Sequence, residues 1–305
     1  MEKRAVLYPV LIFGGLLLAC FVFALVLFKS LDNDSGDEHA WTSGKGPKIG
    51  VIEVSGVIKE SREPLGQLVR FRRDPDIKAI VVRVDSPGGQ VAPSQDVYRA
   101  ILRARKDKKV VVSMGTLAAS GGYYIASAAD KIYAEAGTIT GSIGVISEFP
   151  EVDAVLDLLR VKFNTIKSGP LKDVGSPLRP MTDEEHRYLQ GFVDDIYEQF
   201  LGDVASARKL DKNELRKIAD GRVLTGEQAK AAKLVDEIGN LEDAIDGAAK
   251  LAGVYDEKSP PVPVFAKPKR GLLGSLLEDG AEGAMRGANE ALRPRSAVEA
   301  RDPRF

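Results

Sequence analysis

The chain has 305 residues, 44% of them hydrophobic, and a net charge of −1. That is enough chain for one large or two small domains with a proper core, and the balanced charge offers nothing to a nucleic-acid partner. One cysteine and two histidines far apart in sequence, His39 and His186, exclude an intramolecular disulfide and leave no metal-ligand cluster, so no metal or organic cofactor is expected.

The chain opens with an apolar run over residues 5–28, long enough to cross a bilayer as a helix. Lys3 and Arg4 precede it, and Asp32, Asp34, Asp37 and Glu38 follow. The positive-inside rule then puts the N-terminus in the cytoplasm and the rest on the periplasmic or extracellular side. A cleaved signal peptide is the alternative, but the run is long for one and lacks a clean small-x-small site at its end. Residues 1–29 are thus read as a cytoplasmic stub and transmembrane anchor. Residues 30–47, rich in Asp, Ser and Gly, are read as a flexible tether.

From Lys48 the pattern alternates between strands and helices. Strands are expected over 48–54, 79–84, 109–114, 131–134, 143–146 and 161–167, and helices over 64–73, 93–105, 121–129 and 152–159. This spacing argues for parallel βαβ units with ligand sites at the strand C-terminal ends. After residue 181 the chain turns helical. Thr182/Glu185, Asp211/Glu214 and Thr225/Gln228 each carry the signature of a helix N-terminus. A last helix spans 241–252. The prolines at 260, 261 and 263 and a basic run at 267–270 mark 255–305 as a tail outside the core, with Leu272, Leu273, Leu276 and Leu277 suited to an amphipathic turn or two.

The stretch Met114 to Tyr124 carries the most chemistry. An apolar strand runs into small residues, then Ser120, then Gly121 and Gly122, then a helical pattern. A serine at such a turn has an exposed hydroxyl, and the neighbouring N–H groups can face a developing oxyanion. The same pattern makes an ordinary helix N-cap. A nucleophilic serine needs a base, and neither histidine is well placed: His39 sits in the tether and His186 in a charged helix. A lysine base must be neutral near pH 7, against an unperturbed pKa of about 10.4, and so must be desolvated. Lys172 follows a predicted strand in a loop stiffened by Pro170, Pro177 and Pro180. It reads either as that base or as a solvated loop lysine paired with Asp173. Asp85-Ser86-Pro87-Gly88-Gly89, at the end of another strand, presents backbone N–H groups toward the same crevice or makes a structural turn. Ser86 is a rival nucleophile. Residues Thr138–Gly144 form a further small-residue loop that can line a groove and accept a peptide by strand pairing.

Five segments, taken together and in order, resemble the signal peptide peptidase A family in its short, single-repeat bacterial form. They are Asp85–Gly89, Ala118–Tyr124, Thr140–Gly144, Lys167–Asp173 and Arg222–Gly226. The resemblance covers about residues 48–252, so that 48–254 is read as a serine peptidase domain. It implies an α/β fold, a crotonase/Clp-like spiral of ββα units preceded by the single N-terminal transmembrane helix. It implies a Ser/Lys dyad of Ser120 as nucleophile and Lys172 as general base, with the N–H groups of Gly88 and Gly121 as the oxyanion hole. Gly89, Gly141, Ser142 and Ile143 would line the substrate groove. The family's substrates are remnant signal peptides and other membrane-proximal peptides. Its long forms take Ser and Lys from different repeats, so a single-repeat chain would complete its dyad across a homo-oligomer interface. The expected protein is a membrane-anchored serine endopeptidase. The competing expectations are a broader envelope quality-control protease and a non-catalytic assembly scaffold with the same fold.

Overall fold

The computed structural model describes residues 44–266. The expected anchor at 5–28, most of the tether at 30–47 and the chain beyond 266 lie outside the described residues. Among the described residues, no helix is long and apolar enough to cross a membrane.

The first half is built from strand β1 (Lys48–Ser55), helix α1 (Arg62–Arg73), strand β2 (Ile77–Ser86), helix α2 (Val91–Ala104), strand β3 (Lys109–Ala119), helix α3 (Gly121–Ser127) and strands β4 (Lys131–Ala134) and β5 (Ile139–Gly141). A short helix α4 (Asp153–Leu158) and a single 3-10 turn (Pro170–Asp173) follow. The second half holds α5 (Asp183–Arg208), α6 (Lys212–Arg216), β6 (Val223–Thr225), α7 (Gly226–Ala231), β7 (Glu237–Ile238), α8 (Leu241–Leu251) and β8 (Val262–Phe265). The strands form one sheet in the order β6-β5-β3-β2-β1-β8, with β4 paired to β3 and β7. All pairs are parallel except β5 with β6.

Both faces of this sheet are covered, and the period-2 alternation of the strands decides what goes where. Ile52, Val54, Ile80, Val82, Val84, Val110 and Val112 face one way and pack with Leu68 and Phe71 of α1, Val97 and Ile101 of α2, and α3. Ile49, Val51, Ala79, Val81 and Val111 face the other way, toward Ala244, Ile245, Ala248 and Ala249 of α8. Each fully buried Val or Ile contributes roughly 1.5–3 kcal/mol relative to leaving it in water. The small residues of α8 let it lie close to the sheet. A Cβ on Gly247 would stand 2.2 Å from the Tyr133 hydroxyl oxygen.

The capping signals locate their helices correctly. Thr182 and Glu185 form a reciprocal capping box at the start of α5, Thr225 and Gln228 one at α7, and Asp211 accepts from two N–H groups of α6. Three expectations fail. The strand expected at 143–146 is absent, and the nearby strand that forms is β5, three residues long and earlier in the chain. No strand forms at 161–167, whose apolar residues find no partner strand among the described residues and stay exposed. The tail expected from 255 begins late, because Val262–Phe265 pairs with β1 and extends the sheet by one edge strand. Pro263, which has no N–H to give, is tolerated there because an edge strand has one unpaired side.

Candidate active site

Ser120 stands between the end of β3 and the start of α3, partly exposed, with φ 53° and ψ −120°. This backbone conformation is costly for a residue with a Cβ, by about 1–3 kcal/mol, and survives only where the surroundings fix it. They do so on both sides. The Ser120 N–H donates to the Gly141 carbonyl at 2.9 Å, and its carbonyl accepts from Tyr124 N–H at 2.9 Å. Its side chain makes no cap hydrogen bond to α3, so the Oγ is not spent on the N-cap role that its position allows.

The Gly88–Gly89 turn lies directly against this serine. At Gly88, with φ +100°, a Cβ would sit 2.6 Å from the Gly121 nitrogen and 2.8 Å from the Ser120 Cβ. Only glycine permits that approach. A Cβ on Gly121 would stand 3.2 Å from the Gly89 nitrogen. Four expected site residues, Ser120, Gly121, Gly88 and Gly89, are therefore brought together. The donors are distributed differently from expectation. The Gly88 N–H donates to Ser86 Oγ at 3.0 Å, whereas Gly89 N–H has no acceptor among the described residues. Gly121 opens α3, so its N–H has no carbonyl one turn back within the helix. Ser86 is buried, and its hydroxyl donates to the Gly56 carbonyl at 2.6 Å. The rival nucleophile is thus a pin for the glycine turn.

A cleft of ≈ 100 Å³ opens beside Ser120, lined on its apolar side by Val91, Tyr124, Val145, Ile146, Ile196 and Phe200. Apart from Tyr124, which closes the Ala118–Tyr124 motif, none of these is a site residue expected from the sequence. The spacing of Ile196 and Phe200 on one face of a long helix was the available signal. Tyr124 stacks on Phe200 with ring centroids 4.3 Å apart and donates to the Asp203 carboxylate. Burial, followed by that carboxylate, pushes the Tyr124 hydroxyl far above its ordinary value, and burial with the Asp203 charge pushes Tyr98 up to about 12. Both tyrosines therefore stay protonated at neutral pH and cannot serve as bases. Of the remaining groove candidates, Gly141 is tied to Ser120. Ser142 donates its N–H to the Arg222 carbonyl at 2.8 Å, and Ile143 is buried. The loop reaches the cleft only from Gly144 onward.

Lys172 does not line this cleft. It is exposed on the 3-10 turn, within an arm that leaves the sheet after Ile143 and returns at α5. Its neighbour Asp173 is engaged by Lys167 Nζ at 2.5 Å and by Arg179, so the pairing of Lys172 with Asp173, the alternative reading of this lysine, is replaced by other cations. His186 is exposed in the first turn of α5 and is not part of the cleft. His39 lies outside the described residues. Among the described residues, no group of His, Cys, Asp and Glu could hold a metal ion.

The sequence pattern of the family described as Peptidase family S49 matches residues 103–255, and that of Clp protease matches residues 52–136. A protein of Synechocystis sp. named as a candidate protease is 42% identical over 212 residues, 69% of this chain and 76% of its own length. A protein of Enterococcus faecium named as a candidate signal peptide peptidase SppA is 36% identical over 238 residues, 73% of this chain and 69% of its own. Protease 4 of Salmonella typhi is 40% identical over 217 residues, which are 68% of this chain but 35% of that longer protein.

Proposed function

The chain belongs to peptidase family S49 and is a serine-type peptidase, and from that premise we propose a membrane-anchored endopeptidase that cuts remnant signal peptides with Ser120 and a lysine from a neighbouring copy. The observation that carries this reading is the turn at Ser120. A strained backbone holds a free hydroxyl beside two N–H groups, those of Gly89 and Gly121, that lack acceptors among the described residues. Ser120 Oγ attacks the peptide carbonyl carbon, and its proton passes to Lys172 Nζ. The carbonyl oxygen, now negative, turns toward the Gly89 and Gly121 N–H groups. Gly89 is favoured over Gly88 because the Gly88 N–H is already given to Ser86. Such donors matter because they meet charge only as it develops, each contributing about 3–4 kcal/mol. Lys172 then protonates the leaving amine, and water hydrolyses the acyl-enzyme.

The second copy is invoked because Lys172 stands outside its own cleft and because the arm that carries it is apolar and uncovered. Ile146 is 80% exposed, Leu158 83%, Phe163 57% and Ile166 98%. Several large apolar side chains left in solvent on one segment are the kind of surface that a partner covers. Covering it would also exclude water, and a lysine acting as base needs that exclusion to shed its proton. The apolar cleft suits a small or apolar side chain next to the cut bond. The apolar segment at 5–28 would hold the enzyme at the membrane, on the side where cleaved signal peptides remain.

A serine-directed acylating probe tests the reading against the silent scaffold. Full-length protein in detergent or nanodiscs is expected to label at Ser120, and Lys172→Ala to abolish labelling while the assembly persists. Absence of label in assembled wild-type protein contradicts the reading.

A further inference from the structure

Nothing in the sheet holds Lys172 in place, since the arm from residue 144 to 181 adds no strand to it. The hold comes from the other end. Arg179 donates to both carboxylate oxygens of Asp173, from Nε to Oδ2 at 3.1 Å and from Nη2 to Oδ1 at 2.9 Å. It also donates from Nη1 to Glu185 Oε2 at 2.9 Å and from Nη2 to Glu185 Oε1. Lys167 Nζ closes the turn from the other side, binding Asp173 Oδ1 and the Pro170 carbonyl at 3.0 Å. Glu185 in turn accepts from the N–H and the hydroxyl of Thr182, within the capping box of α5. The side chains of Asp173 and Glu185 are only 16% and 6% exposed. Carboxylates so shielded need a fixed cation, and a planar guanidinium can satisfy two at once.

We propose that Arg179 is a positioning residue for the reaction: it transmits the rigid first turn of α5 to the 3-10 turn at Asp173 and thereby fixes where the adjacent Lys172 is presented. The inference rests on Lys172 being the base. Arg179 touches no reacting atom, and the substrate groove lies on the serine side. Its loss therefore affects the proton-transfer step and leaves substrate binding alone. Misplacing a catalytic group by about 1 Å costs on the order of 100-fold in rate.

The test compares steady-state cleavage of a peptide substrate by assembled full-length wild type, Arg179→Ala, Arg179→Lys, Asp173→Asn and Lys172→Ala. Arg179→Ala is expected to lower kcat by roughly 10- to 100-fold with KM within about twofold, and to slow Ser120 acylation in parallel. Arg179→Lys, which keeps the charge without the planar fork, should recover part of that loss. Asp173→Asn keeps the size of the side chain but removes its charge and one of the two oxygens that accept from Arg179, so it decides the matter if Arg179→Ala fails to assemble, and it should show the same fall in kcat alone. Wild-type kcat in Asp173→Asn or in an assembled Arg179→Ala, beside an inactive Lys172→Ala, overturns the positioning role. Full activity in Lys172→Ala instead overturns the assignment of the base, a separate failure.

Discussion

The two catalytic candidates stand in regions held together by different forces. Ser120 is locked between a parallel ladder and a buried helix: β3 is paired on both sides, and α3 is buried along its whole length. Lys172 rides on an arm with no ladder, large apolar residues in solvent and a knot of ion pairs. A region secured by burial is complete in one chain. A region whose apolar residues face outward is complete only when something covers them. On the proposed reading, the serine half of the site belongs to the fold and the lysine half to the assembly.

The widest separation between the two regions should appear on truncating or charging an apolar residue. Ile80, fully buried at the centre of β2, should cost about 2–5 kcal/mol on replacement by Ala, through lost transfer energy and a cavity. Ile166→Asp, on the arm, should change the unfolding free energy of the dissociated subunit by less than about 0.5 kcal/mol, because Ile166 is exposed in the single chain. It should nevertheless disperse the oligomer and take peptide cleavage with it. Denaturant titration beside light scattering measures both. Equal losses of stability at the two sites would erase the distinction.

A smaller effect is expected at Ser120 itself. Its φ of 53° suits glycine, so Ser120→Gly should raise stability by about 1 kcal/mol while abolishing cleavage. A thermal midpoint about 3 °C higher would register it. A lower midpoint would mean that the turn carries no strain.

The smallest effect concerns pH and has opposite signs in the two regions. The Arg179 guanidinium, followed by the Thr182 N–H, holds Glu185 down to about 2, and Arg179 followed by Lys167 holds Asp173 lower still. Depressed carboxylates stabilise above their unfolded value, about 4.3 for a glutamate, and that contribution is lost as pH falls toward about 2. Tyr98 and Tyr124 are raised, so their contribution is present below pH ~10 and is lost as pH rises beyond it. Hydrogen exchange should therefore show residues 167–185 loosening first in acid, and the contact of α2 and α3 with α5 loosening first in alkali. The reverse order would contradict the ion-pair description of the arm.

Much of this contrast is legible in the sequence. The spacing of strands and helices from Lys48 predicts a parallel βαβ sheet, and the small residues around Ser120 mark the turn. Local signals of that kind are set by burial and backbone sterics, which a sequence carries in its own neighbourhood. The misses share a cause. Val161, Phe163 and Ile166 give 161–167 the composition of a strand, but they stay exposed, with no partner strand among the described residues. Pro260, Pro261 and Pro263 argue against a strand unless one knows that the segment lies on a sheet edge. Which of Gly88 and Gly89 keeps a free N–H depends on where Ser86 Oγ points, a contact that glycine spacing cannot report.

A mixing experiment bears most directly on the split site. Ser120→Ala and Lys172→Ala proteins, each inactive alone, are dissociated, combined in equal amounts and allowed to reassemble. If Ser120 of one copy works with Lys172 of the next, about a quarter of the sites regain both groups, and activity should return to about a quarter of wild type. If both groups act within one chain, no mixed assembly holds an intact site. Verified subunit exchange with no recovered cleavage would contradict the shared dyad.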